Sequence, residues 1–371
     1  MDNDKSIDEI IFRDQFCRNQ SDKEKELLEI IKPKLKHNRN NENINSLYNK
    51  LNLNIEKVNS LEEVPFIPVN MFKSFDLNTC NFNDVVRVLN SSATTTGIPS
   101  KIYIDKKTSI RQTQGLISTL NDFLGGKRRP MLVIDSEDSN KRGDSITARG
   151  AAIRGVSSFA SKIVYAMDKS GDDLKLNLKR VQDFADTYGK EEVLIYGFTY
   201  IIWSKFIHEL EKIGLSLNLP KSKLLHSGGW KKLIKKKIDK EEFSKVLAKH
   251  LNTKENNIID FYGMVEQVGV VFIDCECGYK HVPDFADVII RDILTLDEVE
   301  IGKSGLIEVI SILGSSYPSQ GILTEDIGEL VGVDNCKCGR KGKYFKFKAR
   351  AEKTETRGCG DTFAERTGDI W

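Results

Sequence analysis

Two groups of residues in this 371-residue chain have the types and spacing to do chemistry. The first is Ser91-Ser92-Ala93-Thr94-Thr95-Thr96-Gly97-Ile98-Pro99-Ser100, set between an apolar entry (Val85, Val86, Val88, Leu89) and an alternating exit (Ile102, Ile104). Small hydroxyl side chains and a glycine let backbone N–H groups approach an anion and point at it, which is the physics of a phosphate cradle. No Gly-Lys pair is present in this stretch, so it is not the Gly-x-x-x-x-Gly-Lys-[Ser/Thr] loop. Taken alone, the stretch also reads as a Ser/Thr-rich surface turn. The second group is a pair of Cys-x-Cys-Gly segments, Cys275-Glu276-Cys277-Gly278 and Cys336-Lys337-Cys338-Gly339. Four thiolates in two short-spaced pairs suit a tetrahedral structural Zn²⁺, although the spacing is tighter than in the usual zinc ribbon. Idle buried thiols are the other reading, and His281 is a spare ligand or a surface histidine. Cys17 and Cys80 stand apart and read as packing residues.

The elements around these groups alternate. Met131–Asp135, Ile163–Tyr165, Val193–Phe198 and Leu224–His226 read as strands, with helical patterns over Ser109–Phe123 and Tyr200–Gly214 between them. That alternation indicates an α/β domain with substantial parallel sheet, and ligands then belong at the carboxyl ends of the strands. Ser227-Gly228-Gly229 is the turn after one such strand. His226 before it reads as a structural histidine or a neighbour of a nucleotide. Tyr196, Phe198 and Tyr200 read first as core aromatics and second as the lining of an acyl pocket. Residues up to about Asn54 look helical, with Leu27, Leu28, Ile30, Ile31 and Leu35 on one face and Ser21-Asp22-Lys23-Glu24 as a capping box.

Composition narrows the class. Basic and acidic residues nearly balance, 56 against 54, so no nucleic-acid footprint is expected over the chain. Hydrophobic content of 39% suits a globular protein. No secretory apolar region follows Met1, so a cytoplasmic protein is expected. The longest apolar run, Val193 to Trp203, is too short to span a membrane. Seven cysteines, an odd number, read as thiols or metal ligands rather than a disulfide framework. The basic run Lys231 to Lys237 reads as a solvated helix face with Leu233 and Ile234 inward, or as a docking surface for an acidic partner.

The hydroxyl loop, Tyr262-Gly263-Met264-Val265-Glu266 and Thr324-Glu325-Asp326-Ile327-Gly328-Glu329 together, in this order, resemble the motifs of adenylate-forming enzymes. Thr94 and Ala349 stand where that superfamily usually has glycine. Ile67-Pro68-Val69-Asn70-Met71-Phe72-Lys73-Ser74, Ser227-Gly228-Gly229-Trp230 and Arg357-Gly358-Cys359-Gly360 narrow the resemblance to the acyl-protein synthetases. These are the synthetase subunits of the bacterial bioluminescence fatty-acid reductase complex, and phenylacetate–CoA ligases are their cousins. The resemblance covers about Phe12 to Cys359.

The resemblance implies a large adenylate-forming N-terminal domain, α/β with parallel and mixed sheets flanked by helices. Most such enzymes add a C-terminal domain, and the short stretch after Arg350 leads us to expect that domain very short or absent here. The expected division is a helical segment over 1–60, an adenylation domain over 61–350 and a mobile tail over 351–371. It implies ATP and Mg²⁺ as cofactors. Ser92, Thr94, Thr95, Thr96, Gly97 and Ser100 would hold phosphates. Ser227, Gly228, Gly229, Tyr262 and Gly263 would border the adenine, and Asp326 would hold the ribose. Glu266 would support Mg²⁺; an aromatic face for a base and a hard oxygen for Mg²⁺ are chemically apt. Arg350 is the basic residue near the hinge. The implied reaction activates a carboxylic acid, a fatty acid by family, to acyl-AMP. The acyl group then moves to the Cys359 thiol as a thioester for a partner acyl reductase. Arg357 favours the Cys359 thiolate, and flanking glycines permit close approach. The alternative is an acyl- or aryl-CoA ligase using free coenzyme A. The acid itself, the final acceptor and the oligomeric state are not legible in the sequence.

Overall fold

The computed structural model describes residues 3–91, 99–140, 146–171, 173–229 and 238–351. Its centre is one long mixed sheet. From one edge, the strands Asp173–Leu176, Ala160–Ser170, Arg129–Ser136, Val193–Phe198, Ser222–Ser227 and Ile258–Tyr262 are followed by Phe272–Asp274, Lys280–His281, Lys343–Arg350, Ile322–Val333, Ser304–Ser311 and Ala286–Arg291. The five strands from Ala160–Ser170 to Ile258–Tyr262 run parallel. Those from Phe272–Asp274 onward pair antiparallel. The expected α/β class with parallel and mixed sheet is what the chain adopts. A smaller sheet joins Lys101–Asp105, Val85–Asn90 and Ile146–Thr147.

The apolar runs are explained by burial on both faces. Every residue of Arg129–Ser136 is buried. Leu132 and Ile134 pack with Val193, Ile195 and Leu224 against Val181 and Phe184 of the helix Leu178–Tyr188 and Phe243 and Leu247 of the helix Lys240–Leu251. The alternate residues Met131, Val133, Leu194, Tyr196 and Leu225 face the other way, onto Leu120 and Phe123 of Lys106–Leu124 and Ile153 and Val156 of Ala148–Ser157. The period of two along each strand thus feeds two helical layers.

The antiparallel half is covered by the N-terminal helices. Ile7, Ile11, Leu27, Ile31 and Leu35 share one core with Val288, Ile289 and Ile310. The anticipated capping box does not form. Helix Gln20–Asn38 has Asn19 as N-cap without a side-chain cap bond. The Asp334 carboxylate accepts from the Gln20 N–H instead, at 3.0 and 3.1 Å. A distant loop thus satisfies the free N–H of the first turn. Lys106–Leu124 begins with a local cap, Asp105 accepting from Thr108 N at 2.7 Å. Among the described residues, no helix is long and apolar enough to cross a membrane.

Candidate active site

Neighbouring parallel strands end together. Phe198 is in register with Ser227, and Ser227 with Phe261. The chain leaves the strand Ser222–Ser227 through Gly228, whose φ of +86° lies in the region that disfavours side chains, and a Cβ there would sit 3.1 Å from the Phe198 ring. Gly229 faces open space. Thr199 Oγ1 donates to the Ser227 carbonyl at 3.1 Å and shares a 3.0 Å hydrogen bond with His226 Nδ1, fixing the turn. His226 is buried, and burial lowers its basicity.

Tyr262 and Asp326 meet at the next strand end. The Tyr262 hydroxyl donates to Asp326 Oδ2 at 2.8 Å. The Tyr262 ring lies near-parallel to Phe272 (5.9 Å, 18°) and against Phe347 (5.3 Å, 31°). Asp326 sits in Ile322–Val333, opposite Arg350 in register. Thr324 Oγ1 donates to the Ile307 carbonyl at 2.7 Å and accepts from Asp326 N at 3.1 Å, which pins the segment. Burial raises the Asp326 carboxyl above its ordinary value, with the Tyr262 bond and the Arg350 charge opposing. The Tyr262 phenol is pushed well up by burial, then by the Asp326 charge. Arg350 is exposed, 3.5 Å from the Glu325 carboxylate.

Glu266 lies in the tight turn Val265–Gln267 and is only 6% exposed. Burial raises its carboxyl; the Ser100 hydroxyl, a backbone N–H and the charges of Lys73 and Arg350 act the other way. Ser100 is fully buried, and its hydroxyl has no partner in full hydrogen-bond geometry. Ser100 N donates to Ser91 Oγ at 2.9 Å and Ser91 N to the Ser100 carbonyl at 3.2 Å, so the two ends of the hydroxyl loop are clasped. A buried carboxylate without an ion pair among the described residues, beside an orphaned hydroxyl, fits a hard cation and its phosphate. Ser92, Thr94, Thr95, Thr96 and Gly97 lie outside the described residues, as do Trp230, Lys231 to Lys237 and Cys359.

The cysteine pairs come together in part. Cys275, Cys336 and Cys338 cluster with His281, while Cys277 is exposed and lies outside the group. Two further features carried no signal in the sequence. Phe272, buried, and Phe347, exposed, both lie against the Tyr262 ring. Lys280 is buried between Asp260 at 2.7 Å and Asp274 at 3.3 Å, and Asp260 lies 3.6 Å from His226 Nδ1. These charges sit on four separate strands, so no local spacing could announce the network.

Known proteins resemble this chain in sequence and in fold. The long-chain-fatty-acid–luciferin-component ligase of Vibrio harveyi is 25% identical over 331 residues, 87% of this chain and 83% of that protein. The Aliivibrio fischeri protein of the same name is 23% identical over 276 residues, 74% and 71% of the two chains. Among solved structures, 2-hydroxyisobutyryl-CoA ligase in its postadenylation state with 2-HIB-AMP superposes with a TM-score of 0.66 at 13% identity, covering 91% of this chain and 69% of the other, so the two chains share a fold. The sequence profile of one family, described as acyl-protein synthetase, LuxE, matches residues 3–367, and with nearly the whole chain inside that match this ligase belongs to the LuxE acyl-protein synthetase family.

Proposed function

We propose that the protein activates a long-chain fatty acid with ATP and passes the acyl group to a thiol as a protein-bound thioester. The observation that carries the first half is the Tyr262–Asp326 pair at a strand end, with Glu266 close enough for its charge to raise the Tyr262 phenol further. The Tyr262 ring offers a face for adenine. Asp326 accepts from ribose hydroxyls on its free lone pairs. The clasped loop ending in Ser100 supplies N–H and hydroxyl donors to the triphosphate. Glu266 and Ser100 are the groups that would hold Mg²⁺ and a phosphate oxygen; bound there, Mg²⁺ neutralises charge on the phosphates.

In this reading a substrate carboxylate oxygen attacks the α-phosphorus. The carboxylate-oxygen-to-phosphorus bond forms as the bond from that phosphorus to the bridging oxygen breaks, and pyrophosphate leaves with the electron pair. Loop donors act where negative charge builds on the α-phosphate. In the second half, the Cys359 thiolate attacks the acyl carbon, AMP leaves, and a thioester results. The names of the Aliivibrio fischeri and Vibrio harveyi relatives support a long-chain fatty acid as substrate and a luciferin component as its acceptor. An acyl reductase as recipient rests on the family resemblance alone.

The test is acid-dependent ATP–pyrophosphate exchange with fatty acids of graded chain length, without coenzyme A. Exchange with long-chain acids, and a protein-bound acyl label, supports the reading. Exchange without label unless coenzyme A is added would move the protein to the acyl-CoA ligases. No exchange with any acid would overturn the adenylation assignment.

A further inference from the structure

We propose that Cys275, His281, Cys336 and Cys338 bind a structural Zn²⁺, with His281 taking the place that the Cys-x-Cys pattern gives to Cys277. Two of the ligand-to-ligand distances are close to those of a tetrahedral site. Zinc holds sulfur at about 2.3 Å and imidazole nitrogen at about 2.0–2.1 Å, so a tetrahedron sets two sulfurs about 3.8 Å apart and sulfur and nitrogen about 3.5 Å apart. Here Cys275 Sγ and Cys336 Sγ are 3.8 Å apart, and Cys338 Sγ and His281 Nε2 3.3 Å. All four ligand atoms lie within 4.8 Å of one another.

The local chain explains the exchange of ligands. Both Cys-x-Cys-Gly segments are tight turns: Gly278 N donates to the Cys275 carbonyl at 2.8 Å and Gly339 N to the Cys336 carbonyl at 3.0 Å, with glycine φ values of +77° and +88°. In the first turn the Cys277 N–H donates to Cys275 Sγ at 3.4 Å, and the Cys277 side chain is left in solvent. Cys275 N then donates to the Tyr279 carbonyl at 2.9 Å, which starts the return strand. That strand sets His281 opposite Ile273 and Tyr344, fully buried. The imidazole stacks on Tyr344 (5.4 Å, 19°) and meets Phe16 edge-on (6.1 Å, 90°), so its orientation toward Cys338 is fixed by packing. Three thiolates and a dication leave one negative charge, and Arg340, two residues beyond Cys338, sits against that thiol while stacked 4.2 Å over Phe123. Four protein ligands close the coordination sphere, which makes the ion structural rather than catalytic.

The ion would join the hairpin over residues 272–281 to the loop over 334–342. That loop feeds the strand Lys343–Arg350, which lays Phe347 on Tyr262 and sets Arg350 opposite Asp326. The metal would therefore hold the register of the strand that builds one wall of the candidate nucleotide site.

The full chain is to be purified without a metal-binding tag from zinc-supplemented cells, and its zinc content and X-ray absorption measured. About one zinc per chain, with three sulfurs and one nitrogen around it, is the expected result. Cys277→Ser should keep the zinc, Cys336→Ser and His281→Ala should lose it, and His281→Cys should restore it. The absorption spectrum uses the unaltered protein, so it decides the matter even where a ligand variant fails to fold. No zinc in the unaltered protein, a shell of four sulfurs, or loss of zinc in folded Cys277→Ser would each overturn the proposal.

Discussion

The Tyr262 hydroxyl donates a 2.8 Å hydrogen bond to Asp326 Oδ2 across 64 residues of sequence, joining the end of one strand to the interior of another that is not its neighbour in the sheet. A proposed adenine-facing ring and a proposed ribose-holding carboxylate are thereby one unit. The bond costs Asp326 one lone pair and leaves others directed away from the ring. It also holds the carboxylate in one orientation before any ligand arrives.

That relationship separates two substitutions. Asp326→Asn exchanges a carboxylate for a group that is half donor, and should weaken ATP binding by about 1.5–3 kcal/mol, roughly ten- to a hundredfold. Tyr262→Phe keeps the stacked ring and removes only the bond, and should cost about 0.5–1.5 kcal/mol. Calorimetric titration of ATP into each protein checks both; equal affinities in Asp326→Asn and the unaltered protein would remove Asp326 from the ribose role.

Glu266→Gln should separate activity from stability. Burial raises the Glu266 carboxyl, so the ionised form is disfavoured in the fold relative to the unfolded chain. A raised carboxyl costs nothing below its ordinary value and its full penalty above its folded value. The Gln variant should therefore melt no lower than the unaltered protein at about pH 8, with any gain shrinking as the pH falls toward about 4. Its pyrophosphate exchange should nonetheless fall by about 10²-fold or more. A melting point well below that of the unaltered protein near pH 8 would show that the carboxylate is a structural partner.

The paired glycines after Ser227 should behave differently. Gly228→Ala places a side chain at φ +86° and against the Phe198 ring, for a stability loss of about 1–2 kcal/mol. Gly229→Ala meets nothing within 4 Å and should fold as well as the unaltered protein. If Gly229→Ala still raises the KM for ATP, the space beside it belongs to the nucleotide. Chemical denaturation and exchange kinetics on the two variants make the comparison.

Cys359→Ala should keep acid-dependent pyrophosphate exchange near its original rate while losing the hydroxylamine-labile acyl label, because a thiol acceptor acts only after acyl-AMP has formed. Label persisting on that variant would identify another thiol as the acceptor.

The order of the motifs, the strand-and-helix alternation and the apolar periods were legible in the sequence because each is a local property. Met131 and Leu132 face opposite layers simply because a strand alternates, and any reader of the pattern can say that both faces are buried. Tyr262, Glu266 and Asp326 were recognisable by neighbouring residues at fixed spacing. Pairing across the fold was not legible. Asp334 caps a helix more than 300 residues away where Ser21 was expected to act, because sheet register brings that loop to the helix start. His281 enters the cysteine cluster in place of Cys277 for the same reason. Sequence spacing put both cysteines of each turn within reach of a common point, but the return strand from Tyr279 turns one thiol outward and one imidazole inward. Local residue types set which groups could do chemistry, and only the hydrogen-bonded register between distant strands decided which of them meet.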